Sequence, residues 1–234
     1  MIPIMDTIPA YKRSYVLYSV LAVNILVFVY SLNLGERELL RFFYTYGLVP
    51  ARYTSPDFPL EFSRFNLLPF VTSAFMHGGW THIFTNLWAL FIFGDNVEDK
   101  LGHTRFLIYY LIWAVGANLV QFAFAHTLDK PIVGASGAVA GVMGAYLCFY
   151  PWSRVLTIVP VFFFFPLLFY LPAYTYLIVW FLLQFLSGTL SIVESTQTGV
   201  AWWAHIGGFA LGYIMARGYN RRHGRKRRGF YFEL

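Results

Sequence analysis

The chain has few charged residues, and this scarcity restricts its class. Only 12% of its 234 residues are charged and 58% are hydrophobic, whereas soluble domains average about 25% charged residues. Several apolar runs approach the roughly 20 residues that a helix needs to cross a bilayer. The single cysteine, Cys148, excludes an intramolecular disulfide and a cluster of thiolate ligands. We therefore predict an all-α, multi-pass integral membrane protein.

The net charge of +6 comes mostly from a basic cluster near the C-terminus. In a soluble protein this cluster would suggest a nucleic-acid partner, but beside a membrane span it indicates a cytoplasmic anchor, so we expect membrane lipid and no nucleic acid. Lys12 and Arg13 precede an apolar run without a small-residue cleavage site, so the first span is expected to remain in place. The basic cluster consists of Arg217, Arg221, Arg222, Arg225, Lys226, Arg227 and Arg228.

Six membrane spans are predicted within a membrane domain of residues 14–219, between a cytoplasmic N-terminus (1–13) and a basic cytoplasmic tail (220–234). Residues 33–79 mix charges with prolines, which favours an ordered external loop at the membrane interface. The predicted spans are Ser14–Leu32, Trp80–Gly94 (with an extension to about Lys100 left open), Phe106–Phe124, Ser136–Tyr150, Ala173–Ile192 and Trp202–Tyr219.

Residues 155–193 are long enough for two spans, which makes the count of six a choice. Pro160, Pro166 and Pro172 interrupt the first half of this segment, so it cannot form an uninterrupted helix of membrane length. We interpret that half as an interfacial connector. Six spans then place both basic ends of the chain on the cytoplasmic side, whereas seven would place one of them outside.

Ser136 begins the fourth span, directly after Gly134 and Ala135. The fifteen residues from Ser136 to Tyr150 rise about 22 Å, less than the ~30 Å of hydrocarbon in a bilayer. The serine is therefore expected below the external surface, in a cavity that admits water. The helix N-terminus there favours developing negative charge. The alternative is that Ser136 is only a small residue in a close-packing stripe.

His205 lies early in the sixth span, where an ionisable side chain is a functional hypothesis by default. The alternative is a buried histidine bonded to a neighbouring hydroxyl. Gly208 and Gly212 follow it at the spacing used for close helix packing, as Gly137 and Gly141 follow the serine of the fourth span. Contact between these two glycine stripes would bring the hydroxyl and the imidazole within reach, as a nucleophile and its base require.

His82 and Asn86 are four residues apart, so they share one face at the start of the second span. A metal site formed by His77, His82 and His205 is the minority interpretation, because no Asp or Glu lies nearby in sequence. Donors to an oxyanion fit better. Since no carboxylate is expected at this depth to orient His205, the predicted site is a serine–histidine dyad without a metal or another cofactor.

These motifs resemble the signature of the rhomboid intramembrane serine proteases. The resemblance extends from the first span to the sixth, and the order of the motifs makes it specific. It is carried by Gly134-Ala-Ser136-Gly137, His82-xxx-Asn86, Ala204-His205 with Gly208-xxx-Gly212, and the segments Leu68–Gly79 and Phe93–Gly102.

The resemblance implies a six-helix bundle with an interfacial external loop, in which Ser136 is the nucleophile and His205 the general base. It also implies an oxyanion hole formed by His82, Asn86 and the backbone N–H of Ser136. Two positions depart from some members: Leu68-Pro69 replaces a Trp-Arg pair of the loop, and Ala140 replaces a tyrosine that stacks on the histidine.

The function that follows is hydrolysis of peptide bonds in single-span membrane proteins, in or near the membrane, with entry between the second and fifth spans. The alternative is a non-proteolytic relative that binds membrane proteins for quality control; inactive relatives lack a member of the dyad, which this chain retains. A transporter would carry several charged residues within its spans, and the spans predicted here contain almost none, which counts against transport. The N-terminus has no transit-like character, so a prokaryotic plasma membrane is the expected location.

Overall fold

The protein is mostly helical. The computed structural model describes residues 1–56, 66–162, 165–193 and 200–228. Within these ranges the helices are α1 (Tyr15–Leu32), α2 (Glu36–Tyr46), α3 (Ala51–Thr54), α4 (Pro69–Thr72), α5 (Trp80–Leu101), α6 (His103–Phe124), α7 (Ser136–Phe149), α8 (Ala173–Val193) and α9 (Trp202–Arg228), with one turn of 3₁₀ helix at Ser73–Phe75.

Each predicted span corresponds to one long helix. α5 continues past Gly94 to Leu101, and α9 continues through the predicted tail as far as Arg228, so no structural boundary falls at residue 220. In the described part of the chain, three helices (α1, α6 and α8) are long and apolar enough to cross a membrane, and α7 is a shorter apolar helix. The membrane class is therefore supported, while the count of six spans stays a prediction.

α7 is the central helix of the bundle, and small residues permit this position. Its residues from Gly137 to Tyr146 are all buried. α7 packs most extensively against α9 and also contacts α5 and α6, whereas α8 packs chiefly on α9. Because three glycines of α7 present no side chain, neighbouring backbones approach it closely. The helix that begins at Ser136 is thus fixed on several sides.

The predicted connector is a β-hairpin, so the all-α prediction was wrong for this segment. β2 (Arg154–Phe162) pairs antiparallel with β3 (Phe165–Pro172), and β1 (Ile2–Asp6) pairs antiparallel with β2 on its other side, with Asp6 opposite Val155. Proline lacks an N–H and is tolerated at sheet edges and irregularities. The prolines that exclude a helix therefore lie in the edge strand β3 and at a shift of register after Pro160.

The N-terminal strand is fixed to the bundle by a carboxylate. The Asp6 carboxylate accepts hydrogen bonds from Asn96 Nδ2 (2.9 Å) and from the Tyr146 hydroxyl. Burial raises the pKa of Asp6 to about 6. Residues 1–13 are consequently part of the folded domain rather than a separate tail.

A second buried carboxylate holds the beginning of α1. Glu98 is 1% exposed and accepts hydrogen bonds from the backbone N–H groups of Val16 (3.0 Å) and Leu17 (2.7 Å). Its other contact is with His103 Nδ1, at 2.5 Å. The first N–H groups of a helix have no partner within the helix, so Glu98 satisfies two of them and joins α1 to α5.

The long segment between α1 and α5 is ordered where it is described. Leu48 and Ile132 exchange two backbone hydrogen bonds, of 3.0 and 2.7 Å, and Asn118 of α6 donates to the carbonyl of Phe70 (2.8 Å). The aromatic ring of Phe70 also contacts that of Phe122 on α6. Residues 57–65 lie outside the described residues, and the interfacial position of this loop stays a prediction.

Candidate active site

Ser136 starts α7 after a turn that requires glycine. Gly134 has φ +133°, a value that side chains of L-residues rarely adopt. Its N–H donates to the carbonyl of Ser73 at 2.9 Å. A β-carbon on Gly134 would lie 2.6 Å from His82 Nε2 and 3.6 Å from Ser136 Oγ. The absence of a side chain at residue 134 therefore opens the space in which the hydroxyl and the imidazole face each other.

His82 presents a nitrogen donor to this space. The backbone N–H of Gly78 approaches His82 Nδ1 at 3.4 Å. Because Nδ1 accepts this bond, the proton of a neutral ring lies on Nε2, the atom nearest to Gly134. The loop before α5 thus sets the tautomer in which His82 donates toward Ser136.

His205 reaches the same site through the close contact of α7 with α9. A β-carbon on Gly137 would lie 3.6 Å from both Cβ and the carbonyl oxygen of Ala204. Ser136 directly precedes Gly137 in the chain and His205 directly follows Ala204, so both residues lie next to this helix contact.

The glycine stripes make this approach possible. A β-carbon on Gly208 would lie 2.0 Å from the carbonyl oxygen of Gly137, and one on Gly212 would lie 1.9 Å from that of Gly141. No carbon atom fits at such distances from backbone, so both positions admit only glycine without a shift of the helices. Close packing is thus the structural means by which the serine and histidine helices meet.

The ring of His205 contacts residues of α8 and α9 that the sequence did not single out. Its Nδ1 lies 2.8 Å from Gln184 Oε1. The rings of Trp180 and Trp202 lie 5.9 and 6.0 Å from it, centroid to centroid. Ala140, the position of the missing tyrosine, is completely buried. Among the described residues no hydrogen bond joins the Ser136 hydroxyl to His205, as is common in catalytic pairs before substrate binds.

Asn86 lies one turn deeper than His82 and is 6% exposed. Its Nδ2 donates to the carbonyl of His82 at 3.0 Å. An amide nitrogen carries two protons, so one N–H is used within α5 and the other is left for the site. Asn86 thus lies one turn after His82 on the same face of α5.

His77 is buried against the site without contributing a visible bond to it. Its ring lies 5.1 Å from that of His82, edge to face, and neither of its nitrogens has a hydrogen-bond partner in the part of the chain that is described. The same residues contain no group of three or more His, Cys, Asp or Glu side chains placed to hold a metal ion. His77 therefore packs behind His82.

Together, the geometry defines a class: a helical membrane protein with a serine at a helix N-terminus and two imidazoles at one site. The chain belongs to the rhomboid family, because residues 64–222, more than half of its length, match the Rhomboid domain. The predicted family resemblance is confirmed.

The chain is similar to several curated proteins of this family over part of their lengths. It is 32% identical over 138 residues to Rhomboid-like protein 11, chloroplastic, from Arabidopsis thaliana, covering 58% of this chain and 46% of that protein. It is 30% identical over 146 residues to RHOMBOID-like protein 4 of the same plant (60% and 31%). It is also 36% identical over 77 residues to Rhomboid protease GluP from Bacillus subtilis strain 168 (33% and 15%). The chain thus spans less than half of each of these relatives.

These relatives bear on location as well. One of them is named as a chloroplast protein and one is bacterial, and a further similar protein, RHOMBOID-like protein 6 of Arabidopsis thaliana, is named as mitochondrial. They support a membrane protein, as predicted, and give no support to the narrower prediction of a prokaryotic plasma membrane.

Proposed function

We propose that the chain is an intramembrane serine endopeptidase that hydrolyses peptide bonds of single-span membrane proteins. The observation that supports this proposal is that His82 and Ser136 both lie beside Gly134 while Ala204, the neighbour of His205, lies beside Gly137, with a different Nδ1 partner for each histidine. A nucleophile, a base and an oxyanion donor are the minimal parts for acyl transfer.

In the first step Ser136 Oγ attacks the carbonyl carbon of the scissile bond while His205 Nε2 takes the hydroxyl proton. The carbonyl oxygen becomes an oxyanion. His82 Nε2–H, the free N–H of Asn86 and the backbone N–H of Ser136 are the proposed donors to it, and the helix N-terminus favours its charge.

In the second step the peptide C–N bond breaks and His205 returns its proton to the leaving amine. Water then attacks the acyl-serine with His205 as base, and the carboxyl product leaves with Ser136 restored. This sequence needs neither a metal nor another cofactor, because both protons pass through one imidazole.

We propose that substrate enters between α5 and α8, which are the second and fifth of six proposed spans. In this arrangement both basic ends of the chain lie on the same side of the membrane. α8 packs chiefly on α9, and its residues Leu182, Leu183 and Leu186 are exposed. A substrate helix must unwind locally to present its carbonyl, so segments with glycine or other weak helix formers should be cleaved faster.

The test uses purified protein in detergent, a single-span reporter and a fluorophosphonate probe. We expect the unmodified protein to cleave the reporter and to be labelled, and the Ser136→Ala variant to do neither while melting at the same temperature. Reporter that co-purifies uncleaved with both proteins would instead support a membrane-protein binding factor. Equal cleavage by both would contradict the proposed nucleophile.

The oxyanion donor gives a second prediction. His82→Phe keeps a ring against His77 but removes Nε2–H, and should lower kcat on the order of 10²- to 10³-fold with little change in KM. Thr81→Ala, one residue earlier on an exposed face of α5, is the control and should retain the parental kcat. Steady-state cleavage of the reporter measures both constants. A rise in KM alone would assign His82 to substrate binding instead.

A further inference from the structure

Gln184 is a polar residue in an apolar, exposed part of α8. Leu182, Leu183, Phe185 and Leu186 around it are between 47% and 57% exposed. An amide without a partner is costly in hydrocarbon. Gln184 instead turns inward, and its Oε1 lies 2.8 Å from Nδ1 of His205.

This contact has a chemical consequence for the proposed base. An amide oxygen accepts hydrogen bonds and cannot donate them, so the bond requires a proton on His205 Nδ1. In the neutral ring the lone pair then lies on Nε2, at the opposite edge of the imidazole. A base that takes the serine proton needs this tautomer, and the reverse tautomer would present an N–H to Ser136 instead.

His82, the second histidine of the site, carries its proton on the other ring nitrogen. His82 Nδ1 accepts from the N–H of Gly78, which leaves Nε2–H as a donor, whereas His205 Nδ1–H donates to Gln184 and leaves Nε2 as an acceptor. Two neighbouring imidazoles thus receive opposite roles from their Nδ1 partners. One donates to an oxyanion and the other accepts a proton.

Trp180 supports the same ring from one turn earlier on α8. Gln184 and Trp180 are four residues apart, so they share one face of the helix. The Trp180 ring lies 5.9 Å from that of His205 and 6.0 Å from that of Phe209. The imidazole is therefore held at its Nδ1 edge by an amide and packed by an indole, both from α8.

We propose that Gln184 is a positioning residue for the reaction, fixing the tautomer and orientation of His205 as a carboxylate does in a serine–histidine–aspartate triad. The proposal rests on the proposed function, because the base is His205. A neutral amide performs this role at membrane depth without the cost of a buried charge. Because Gln184 belongs to α8, the tautomer and orientation of His205 then depend on the position of α8.

The first experiment reads the tautomer directly and does not need activity. NMR of protein labelled with ¹⁵N in histidine, compared with a His205→Gln sample to assign the signal, should show protonated Nδ1 for His205 at neutral pH. In Gln184→Met, which keeps the length of the side chain, this signature should be lost or mixed. Protonated Nε2 in the unmodified protein would overturn the proposal whether or not the protein cleaves the reporter.

The second experiment measures kinetics with the reporter for Gln184→Met, Gln184→Glu and the control Leu183→Met. We expect Gln184→Met to lower kcat about 10- to 100-fold with KM unchanged, since a misplaced catalytic group costs up to about 10²-fold. Gln184→Glu can only accept from Nδ1 and should restore most of kcat. The acidic limb of the rate–pH profile of Gln184→Glu should move to higher pH, because a carboxylate beside His205 favours the protonated imidazole.

Two outcomes would overturn the positioning role while leaving the proposed function intact. One is a parental kcat in Gln184→Met. The other is an equal loss in Gln184→Met and Gln184→Glu, in proportion to the fraction of folded protein and with an unchanged pH profile. Failure of the proposed function itself would show separately, as absence of cleavage by the unmodified protein.

Discussion

Replacing His205 by alanine is expected to lower the rate of reporter cleavage on the order of 10⁴-fold, and replacing Ser136 and His205 together should lower it no further. The two side chains act on one proton in one step, so the loss of either removes the step. The second substitution in the double variant therefore causes no further loss of rate. This non-additivity separates a dyad from two residues that each stabilise the fold.

The measurement is reporter cleavage by Ser136→Ala, His205→Ala and the double variant, with melting temperatures to show that all three are folded. Fluorophosphonate labelling of His205→Ala should slow to a similar extent, because Ser136 then lacks its base. Losses that multiply in the double variant would show that the serine and histidine act independently. That result would contradict the mechanism and leave the family assignment unaffected.

The close approach of α7 and α9 was predictable because it depends on local spacing. Glycines four residues apart lie on one face of a helix wherever the helix is placed. Gly137 and Gly141 therefore indicate a smooth face on α7, and Gly208 and Gly212 one on α9. Where two such faces exist in one small bundle, their contact is the simplest way to bury both.

The role of Gln184 could not be predicted in the same way. A single amide in an apolar run shows that a partner is needed but not which one. The partner depends on the rotation of α8 about its axis and on its height against α9, which tertiary packing sets. Because no carboxylate is expected near His205, the sequence predicts a dyad, and that stays a prediction; the contact of His205 Nδ1 with Gln184 Oε1 is the neutral alternative that we propose.

The sheet was missed for a related reason. Pro160, Pro166 and Pro172 excluded a membrane helix, as predicted, but the pairing of residues 155–158 with residues 2–6 joins parts of the chain about 150 residues apart. No local pattern reports such a partner. The N-terminal residues appeared in sequence as a short tail before the first span, and Asp6 gave no sign of its contacts with Asn96 and Tyr146.

The glycine contacts also support the second large prediction: Gly208→Ala should separate the catalytic pair. The added methyl would lie 2.0 Å from the carbonyl oxygen of Gly137, and backbone cannot turn aside as a side chain can. α9 must move away from α7, which carries His205 away from Ser136. A displacement of about 1 Å at the reacting groups can cost ~10²-fold in rate, and overpacking typically costs about 1–3 kcal/mol of stability.

Gly218→Ala is the matched control, since it adds the same methyl to the same helix where nothing lies within 4 Å. There alanine should leave the cleavage rate unchanged and stabilise α9 by up to about 1 kcal/mol through its higher helix propensity. Reporter kinetics and thermal melts of the two variants, measured side by side, test the idea. Parental activity in Gly208→Ala would mean that the serine and histidine tolerate a wider separation of their helices. In that case the close contact would serve packing alone, and the catalytic role assigned to the glycine stripe would be wrong.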